Sequence, residues 1–339
     1  MPADRRSPAT VCVIAEIGVN HDGRVDRAIA LVDAAADAGA DAVKLQLFDP
    51  HALLSDQAKF AAYQQGQGES PFDMLERLQL SLDEISKVRV AAARREISFV
   101  VTPFSLENIA QLGDVQPDAV KIASPDAVNT PLLDAAAGLG LPMIISTGTC
   151  KLTELGPAAG LVRDRAAGGC LLQCVSCYPT PNPDAALGGI ASLAQRFSVA
   201  AGYSDHTTDV MTGGLAVAAG ACVIEKHLTY DRTAAGPDHA ASFDPTLFVR
   251  YIQFIRRAAQ MYGRRHKDIL DVESDVRTVS RQSLCAARDL TAGHRITRGD
   301  LTVKRPGTGI PAARLDATLG RRLNRDIAAN ELLGESDLA

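Results

Sequence analysis

The sequence predicts a closed (β/α)8 barrel, the TIM-barrel class of α/β folds, followed by a small β-rich domain, on three observations. Eight short apolar runs recur through the first three-quarters of the 339-residue chain, Ala- and Leu-rich stretches separate them, and the texture changes after Tyr262. Strand alternating with helix eight times is the pattern of a barrel whose active site sits at the carboxyl ends of the strands. Such a barrel takes about 250 residues, which leaves roughly 70 to 80 for a second unit.

The runs read VCVIAEIG (11–18), AVKLQLF (42–48), SFVVTPF (98–104), AVKIASP (119–125), PMIISTG (142–148), CLLQCVSC (170–177), SVAAGYSD (198–205) and CVIEKHLT (222–229). Nearly every one ends on a residue that can do chemistry: Glu16, Lys44, Thr102, Lys121, Ser124, Ser146, Ser176, Asp205, His206 and His227. Helices are expected over 25–38, 83–95 and 246–262, and near 106–112, 130–139, 153–166, 185–196 and 208–219. The first puts Ile29, Val32 and Ala36 on one stripe and stops at Gly39. The second opens on Asp83 and Glu84, with Ser81 as a candidate cap. The connection 49–80 is unusually long and reads as a functional excursion over the barrel mouth.

The barrel is therefore assigned to residues 1–262, a charge-dense linker to 263–279, and the β-rich domain to 280–339. Turn signals at Ala292-Gly293, Arg298-Gly299 and Pro306-Gly307 punctuate that last segment. At about 60 residues it would be marginal alone and is expected to lean on a partner surface.

Bulk composition is that of a soluble globular protein, 46% hydrophobic and 22% charged. Thirty-five basic against 40 acidic residues, a net charge of −5, argue against nucleic-acid or membrane binding. No apolar run approaches the ~20 residues of a membrane span, and MPADRRSPAT leads into no signal core, so the protein reads as cytoplasmic. Seven cysteines within apolar runs fit reduced, buried thiols. Cys174 and Cys177, read as one strand, would point to opposite faces and could not grip one metal.

Lys44 and Lys121 fall at equivalent points of two strands, and an inward lysine there needs an anion to meet it. With Thr102, Ser124 and Ser146 nearby they form a candidate phosphate-and-carboxylate cradle; pairing with Glu16, Asp126 or Glu225 is the structural alternative. His206 and His227 end neighbouring strands, where two imidazoles can hold one divalent cation and leave positions open. Mn2+ is the first expectation, with Mg2+ or Co2+ as alternatives and Zn2+ also compatible, acting as a Lewis acid on a carbonyl oxygen. Glu16, Asp126 and Asp238 are candidate acid–base or sugar-binding carboxylates.

The strings AEIGVNHDG, VKLQ, TPFS, VKIAS, STG, YPTP, GYSDHT, EKHLT and GPDHAAS, in that order, resemble the sialic acid synthases, and VKRPGTGI resembles their carboxy-terminal signature. The resemblance runs from residue 11 to the end. It implies a TIM barrel followed by an antifreeze-like (SAF, β-clip) domain, working as a domain-swapped homodimer. It also implies condensation of phosphoenolpyruvate with an N-acylated aldohexosamine to a nine-carbon 2-keto sugar acid and phosphate. Carried over by position, it assigns phosphoenolpyruvate to Lys44, Thr102, Lys121, Ser124, Ser146 and Ser204, with Ser176 and Tyr178 close by, and the metal to His206 and His227. Glu16, Asp126 and Asp238 fall where family carboxylates handle the sugar, and Arg305 matches an arginine that reaches the partner subunit's sugar site.

The chain departs from that pattern at Asp126, Gln173 and Val175, and its long loop offers Gln65 and Gln67 where an asparagine is usual. These departures point to a sugar other than N-acetylmannosamine, such as a diacetamido-trideoxy hexose. The competing readings are another phosphoenolpyruvate–aldose synthase, a metal-dependent pyruvate aldolase, and a non-catalytic carbohydrate binder.

Overall fold

Side chains alternate faces along a strand, and that period of two decides what this barrel holds. The computed structural model describes residues 11–60, 70–164, 167–263 and 267–339. Eight parallel strands close in sequence order: β1 (Cys12–Glu16), β2 (Ala42–Leu47), β3 (Ser98–Pro103), β4 (Ala119–Ile122), β5 (Met143–Ser146), β6 (Gly169–Cys174), β7 (Ala200–Asp205) and β8 (Val223–His227). Inward positions near the amino ends are apolar or small, among them Ile14, Ala42, Val100, Ala119, Ile144 and Leu172, and fill the barrel floor. Two residues further along each strand the inward residue becomes polar: Glu16, Lys44, Thr102, Lys121, Ser146 and Cys174. Register aligns them, with Glu16 opposite Lys44 on one side and His227 on the other.

Outward positions, including Val13, Val43, Val101, Val120, Ile145, Leu171 and Ile224, form the main core with the surrounding helices. These are α1 (Val25–Asp37), α2 (Pro50–Leu53), α3 (Pro71–Leu78), α4 (Leu82–Arg94), α5 (Leu106–Val115), α6 (Thr130–Gly138), α7 (Gly156–Asp164), α8 (Gly188–Phe197), α9 (Thr212–Ala218) and α10 (Pro245–Tyr262). The α1 stop is Gly39 at φ +86°, a left-handed conformation that suits glycine. Ser81 caps α4 in a reciprocal box with Glu84, and Ser70 caps α3 with Asp73 in the same way. Within the long 49–80 connection, α2 and α3 are ordered turns, and Gln65 and Gln67 lie outside the described residues. Among the described residues no helix is long and apolar enough to cross a membrane.

The apolar runs overshoot the strands by a few residues at their carboxyl ends, so Ser124, Ser176 and His206 lie just beyond β4, β6 and β7. Two readings change with that. Cys177 is an exposed loop residue, not part of β6, so strand alternation does not govern it. All seven cysteines are free thiols, yet only Cys170, Cys174 and Cys285 are buried.

The chain divides into two compact units at Arg265–His266. The second contains α11 (Ser274–Ser280), the antiparallel pair β9 (Ser283–Ala286) and β10 (Leu301–Lys304), and α12 (Leu315–Thr318). Most of the segment read as a linker, 263–279, falls within this unit, and its last part lies in α11. Its core is a cluster of aliphatic residues that includes Leu284, Leu290, Ile296, Ile310, Leu323 and Leu333. Short bridges such as Leu290–Ile327 and Leu323–Leu338 replace longer strands.

Candidate active site

A cavity of about 440 Å3 opens at the carboxyl end of the barrel. Its walls bring together most of the residues singled out above: Lys44, Thr102, Lys121, Ser124, Ser146, Ser176, Tyr178, Ser204, His206, His227 and Asp238. Glu16 is fully buried beside it, in ionic contact with Lys44. Asp126 is half-buried in a 3-10 turn, accepts a hydrogen bond from Asn129 Nδ2 at 3.0 Å, and does not line the cavity. Arg305 is exposed in the second unit. Asp205, read at first as part of the mouth, faces outward and accepts from Tyr251 Oη at 2.6 Å in the layer under the helices.

The lysines are only partly satisfied. Lys44 Nζ pairs with Glu16, lies 3.6 Å from Glu225, and donates to Thr102 Oγ1 at 3.2 Å. Lys121 Nζ has its carboxylate, Glu225, at 3.7 Å and donates to its neighbour's carbonyl, Ile122 O, at 3.1 Å. Among the described residues Ser146 Oγ is buried without a hydrogen-bond partner, which costs stability unless something else meets it. Burial pulls the Lys121 ammonium down, opposed by Glu225. Burial also works against Lys44, but Glu16 and Glu225 outweigh it and hold its ammonium up. Burial would push Glu225 up, yet Lys121, Lys44 and the Ser204 hydroxyl hold it down to about 2. Glu16 goes the other way, raised by burial and by Glu225 against the pull of Lys44.

Glu225, read in the sequence as a candidate partner of the lysines, does pair with both and belongs to the cavity wall, which the sequence reading did not say. It stands two residues before His227 on β8, hence on the same inward face, and it accepts from Ser204 Oγ at 2.9 Å. Gln46, two residues past Lys44, is a wall residue the sequence reading missed, donating to Glu16 at 3.2 Å. Gly148 is small for cause: a Cβ there would sit 2.3 Å from Ser176 Oγ and 2.9 Å from Ser124 Oγ. Its amide donates to Ser124 Oγ at 3.0 Å.

The histidine rings lie 5.4 Å apart, and Tyr178 packs on both, 4.0 Å from His206 and 5.7 Å from His227. His206 Nδ1 lies 2.9 Å from the Val175 carbonyl. A carbonyl can only accept, so Nδ1 carries a proton and Nε2 is the nitrogen left to meet a ligand. Burial, then His206 and the nearby lysines, hold His227 well below its usual range, so its imidazole is neutral. Asp238 Oδ2 stands 3.6 Å from His227 Nδ1, and burial, reinforced by Glu16, pushes its carboxyl up to about 6. Burial works against a charged His206, yet Cys174 and the Val175 carbonyl hold it above its ordinary value. A divalent cation would therefore take its Nε2 in place of a proton, with His227 as the second nitrogen and positions left open for other ligands. Among the described residues no third His, Cys, Asp or Glu completes a preformed cluster.

The departures act differently from their sequence reading. Gln173 faces α8, where a Cβ on Gly189 would meet its side chain at 2.3 Å. Val175 serves through its carbonyl, and neither its side chain nor those of Gln173 and Asp126 line the cavity. The drift in these three residues therefore does not reshape the described wall. What does is an apolar patch on one side, from Val19, Phe48, Leu53, Met74, Leu75 and Phe104.

Comparison with known proteins places this architecture. The NeuB family model matches residues 31–267 and the SAF domain model residues 281–339. An N,N'-diacetyllegionaminic acid synthase of Legionella pneumophila is 37% identical over 97% of this chain and 95% of its own length. Its namesake in Campylobacter jejuni is 36% identical over 95% of this chain and 98% of its own. The crystal structure of an N-acetylneuraminic acid synthetase from Leptospira borgpetersenii, in complex with citrate, superposes with a TM-score of 0.71 at 31% identity, covering 79% of this chain and 90% of that one. The chain belongs to the NeuB family and carries a SAF domain at its carboxyl end.

Proposed function

We propose that this enzyme condenses phosphoenolpyruvate with an N-acylated, deoxygenated aldohexosamine and water, giving a nine-carbon 2-keto sugar acid and phosphate. The carrying observation is that two lysine ammoniums and an unpartnered serine hydroxyl face the same cavity as two imidazoles. The named activities of relatives at 36–37% identity support the reaction class.

In this reading Lys44, Lys121, Thr102, Ser124, Ser146 and Ser204 bind the phosphate and carboxylate of phosphoenolpyruvate, with Ser176 and Tyr178 at the edge. His206 and His227 would hold a divalent cation, Mn2+ first, whose chemistry there is that of a Lewis acid toward the aldehyde oxygen. The methylene carbon of phosphoenolpyruvate bonds to the aldehyde carbon. Water adds at the enol carbon, and the bond from that carbon to the phosphate oxygen breaks. The lysines contribute by holding the reacting groups in line. Asp238, held near neutral pH by burial and lining the cavity, is better placed to hold a proton than Asp126. Glu16 orients Lys44.

The apolar patch bears on the sugar. A fully hydroxylated hexose would leave hydroxyls against Phe48, Met74, Leu75 and Phe104, whereas a methyl terminus and acetamido methyls bury there. A 2,4-diacetamido-2,4,6-trideoxy hexose fits that wall better than N-acetylmannosamine. We further assign Arg305 to the sugar site of a second subunit in a homodimer, since its guanidinium is exposed in this chain. The free cysteines suit a cytoplasmic setting.

The test is phosphate release from phosphoenolpyruvate with Mn2+ across a panel of aldoses, with the products weighed by mass spectrometry. The trideoxy diacetamido sugar should exceed N-acetylmannosamine by about 10- to 200-fold in kcat/KM, the range a methyl-sized pocket supports. Phosphate release with no aldose, or pyruvate released in its place, would sink the reading.

A further inference from the structure

Lys226 is out of place by every packing rule. It lies between inward-facing Glu225 and His227 on β8 and therefore faces outward, into the layer between barrel and helices. The equivalent outward position two residues earlier is Ile224, a member of the main core. Yet Lys226 is completely buried, and a buried ammonium is costly unless its surroundings compensate. The compensation does not come from a close ion pair: Asp205 Oδ1 is 3.9 Å away, and that carboxylate is committed to Tyr251 Oη and the Thr207 amide.

What meets the ammonium is backbone. Lys226 Nζ donates to Asp205 O at 3.2 Å, to Thr207 O, and to Ala241 O at 3.4 Å, with the Phe243 ring 4.3 Å away. Asp205 and Thr207 flank His206 on either side. Ala241 ends the 3-10 turn that Asp238 begins, and the Ala241 amide donates to Asp238 O at 3.2 Å. Lys226 itself precedes His227. One side chain thus ties together the three segments that carry His206, His227 and Asp238, from behind and without touching the cavity.

We propose that Lys226 is a positioning residue: its buried ammonium clamps the backbone on both sides of His206, and the turn after Asp238, to β8, and so sets the spacing of the two imidazoles. The inference rests on the reading that His206 and His227 hold a divalent cation. A purely structural lysine would support the fold and leave cation affinity alone.

The experiment measures Mn2+ affinity of metal-stripped full-length protein by electron paramagnetic resonance, alongside melting temperature and phosphoenolpyruvate affinity. Lys226→Met should fold with a lowered melting temperature and weaken Mn2+ binding by ~10- to 100-fold, the usual consequence of disturbing what orients a metal ligand. Phosphoenolpyruvate affinity without metal should stay within about twofold, because Lys44 and Lys121 are untouched. Lys226→Gln keeps a donor but is too short to reach three carbonyls. It decides the matter if the methionine variant does not fold. Wild-type Mn2+ affinity in either folded variant overturns the role of Lys226. Absence of Mn2+ binding by the wild-type protein, or undiminished binding by His206→Ala, overturns instead the metal reading beneath it.

Discussion

Lys44 and Lys121 share one carboxylate, that of Glu225, which lies 3.6 Å from the first ammonium and 3.7 Å from the second. The sharing is unequal in effect, because Lys44 also has Glu16 and Lys121 has no second carboxylate within ion-pair distance among the described residues. Lys44 is thus the better compensated of the two, and Lys121 keeps the weaker set of partners.

Removing the two lysines should therefore do different things. Lys44→Met strands the buried Glu16 and should cost ~3–5 kcal/mol of stability, read as a large fall in denaturation midpoint. Lys121→Met leaves Glu225 with Lys44 and Ser204, so its cost in stability should be about 1 kcal/mol. Its effect belongs on substrate: KM for phosphoenolpyruvate should rise about 100-fold, in line with losing one partner of a buried charge pair.

Gly148→Ala tests the close approach to Ser124 and Ser176 at the cavity wall. The added methyl must displace Ser124 and Ser176, and displacements near 1 Å cost roughly 100-fold in rate. Steady-state kinetics should show the loss while circular dichroism stays unchanged.

The barrel and its polar mouth were legible because inward residues repeat every second position and turn from Ile14, Val100 and Ile144 to Glu16, Thr102 and Ser146. Strand ends were less so. A run such as AVKIASP stays apolar past the last ladder hydrogen bond, which hides that Ser124 sits on a turn. Asp205 misled because a polar residue at a strand's end is read as facing the mouth, whereas parity sends it outward. Gln173 shows the converse limit, since its side chain faces α8, and at Val175 it is the carbonyl and not the altered side chain that meets His206.

The second unit carries a pH signature of its own. Burial alone would raise Asp300, but hydrogen bonds from His294, from the Thr297 hydroxyl and amide, and from Arg288 hold its carboxyl well below the usual range. A carboxylate depressed in the folded state stabilises above its unfolded value of about 3.9, and that stability is lost as pH falls through the folded value. Wild-type protein should therefore exceed Asp300→Asn in stability of the second unit by a constant margin near neutral pH. Acid denaturation followed by limited proteolysis should show the margin shrinking below about pH 4.

Mixing variants tests the role given to Arg305. If the proposed homodimer forms, Arg305→Ala and His206→Ala proteins should each be inactive alone, and subunit exchange between them should restore about a quarter of wild-type turnover per site, as random pairing predicts. Activity that never rises above that of the separate variants would show that Arg305 does not act across subunits.

The most direct measurement follows the oxygen that bridges carbon and phosphorus in phosphoenolpyruvate. With a heavy-oxygen label there, and with the aldose and Mn2+ supplied, attack by water at the enol carbon places the label in the released phosphate. Label kept in the keto acid would mean that water attacks phosphorus, and an account built on condensation between the lysine cradle and the paired histidines would be contradicted.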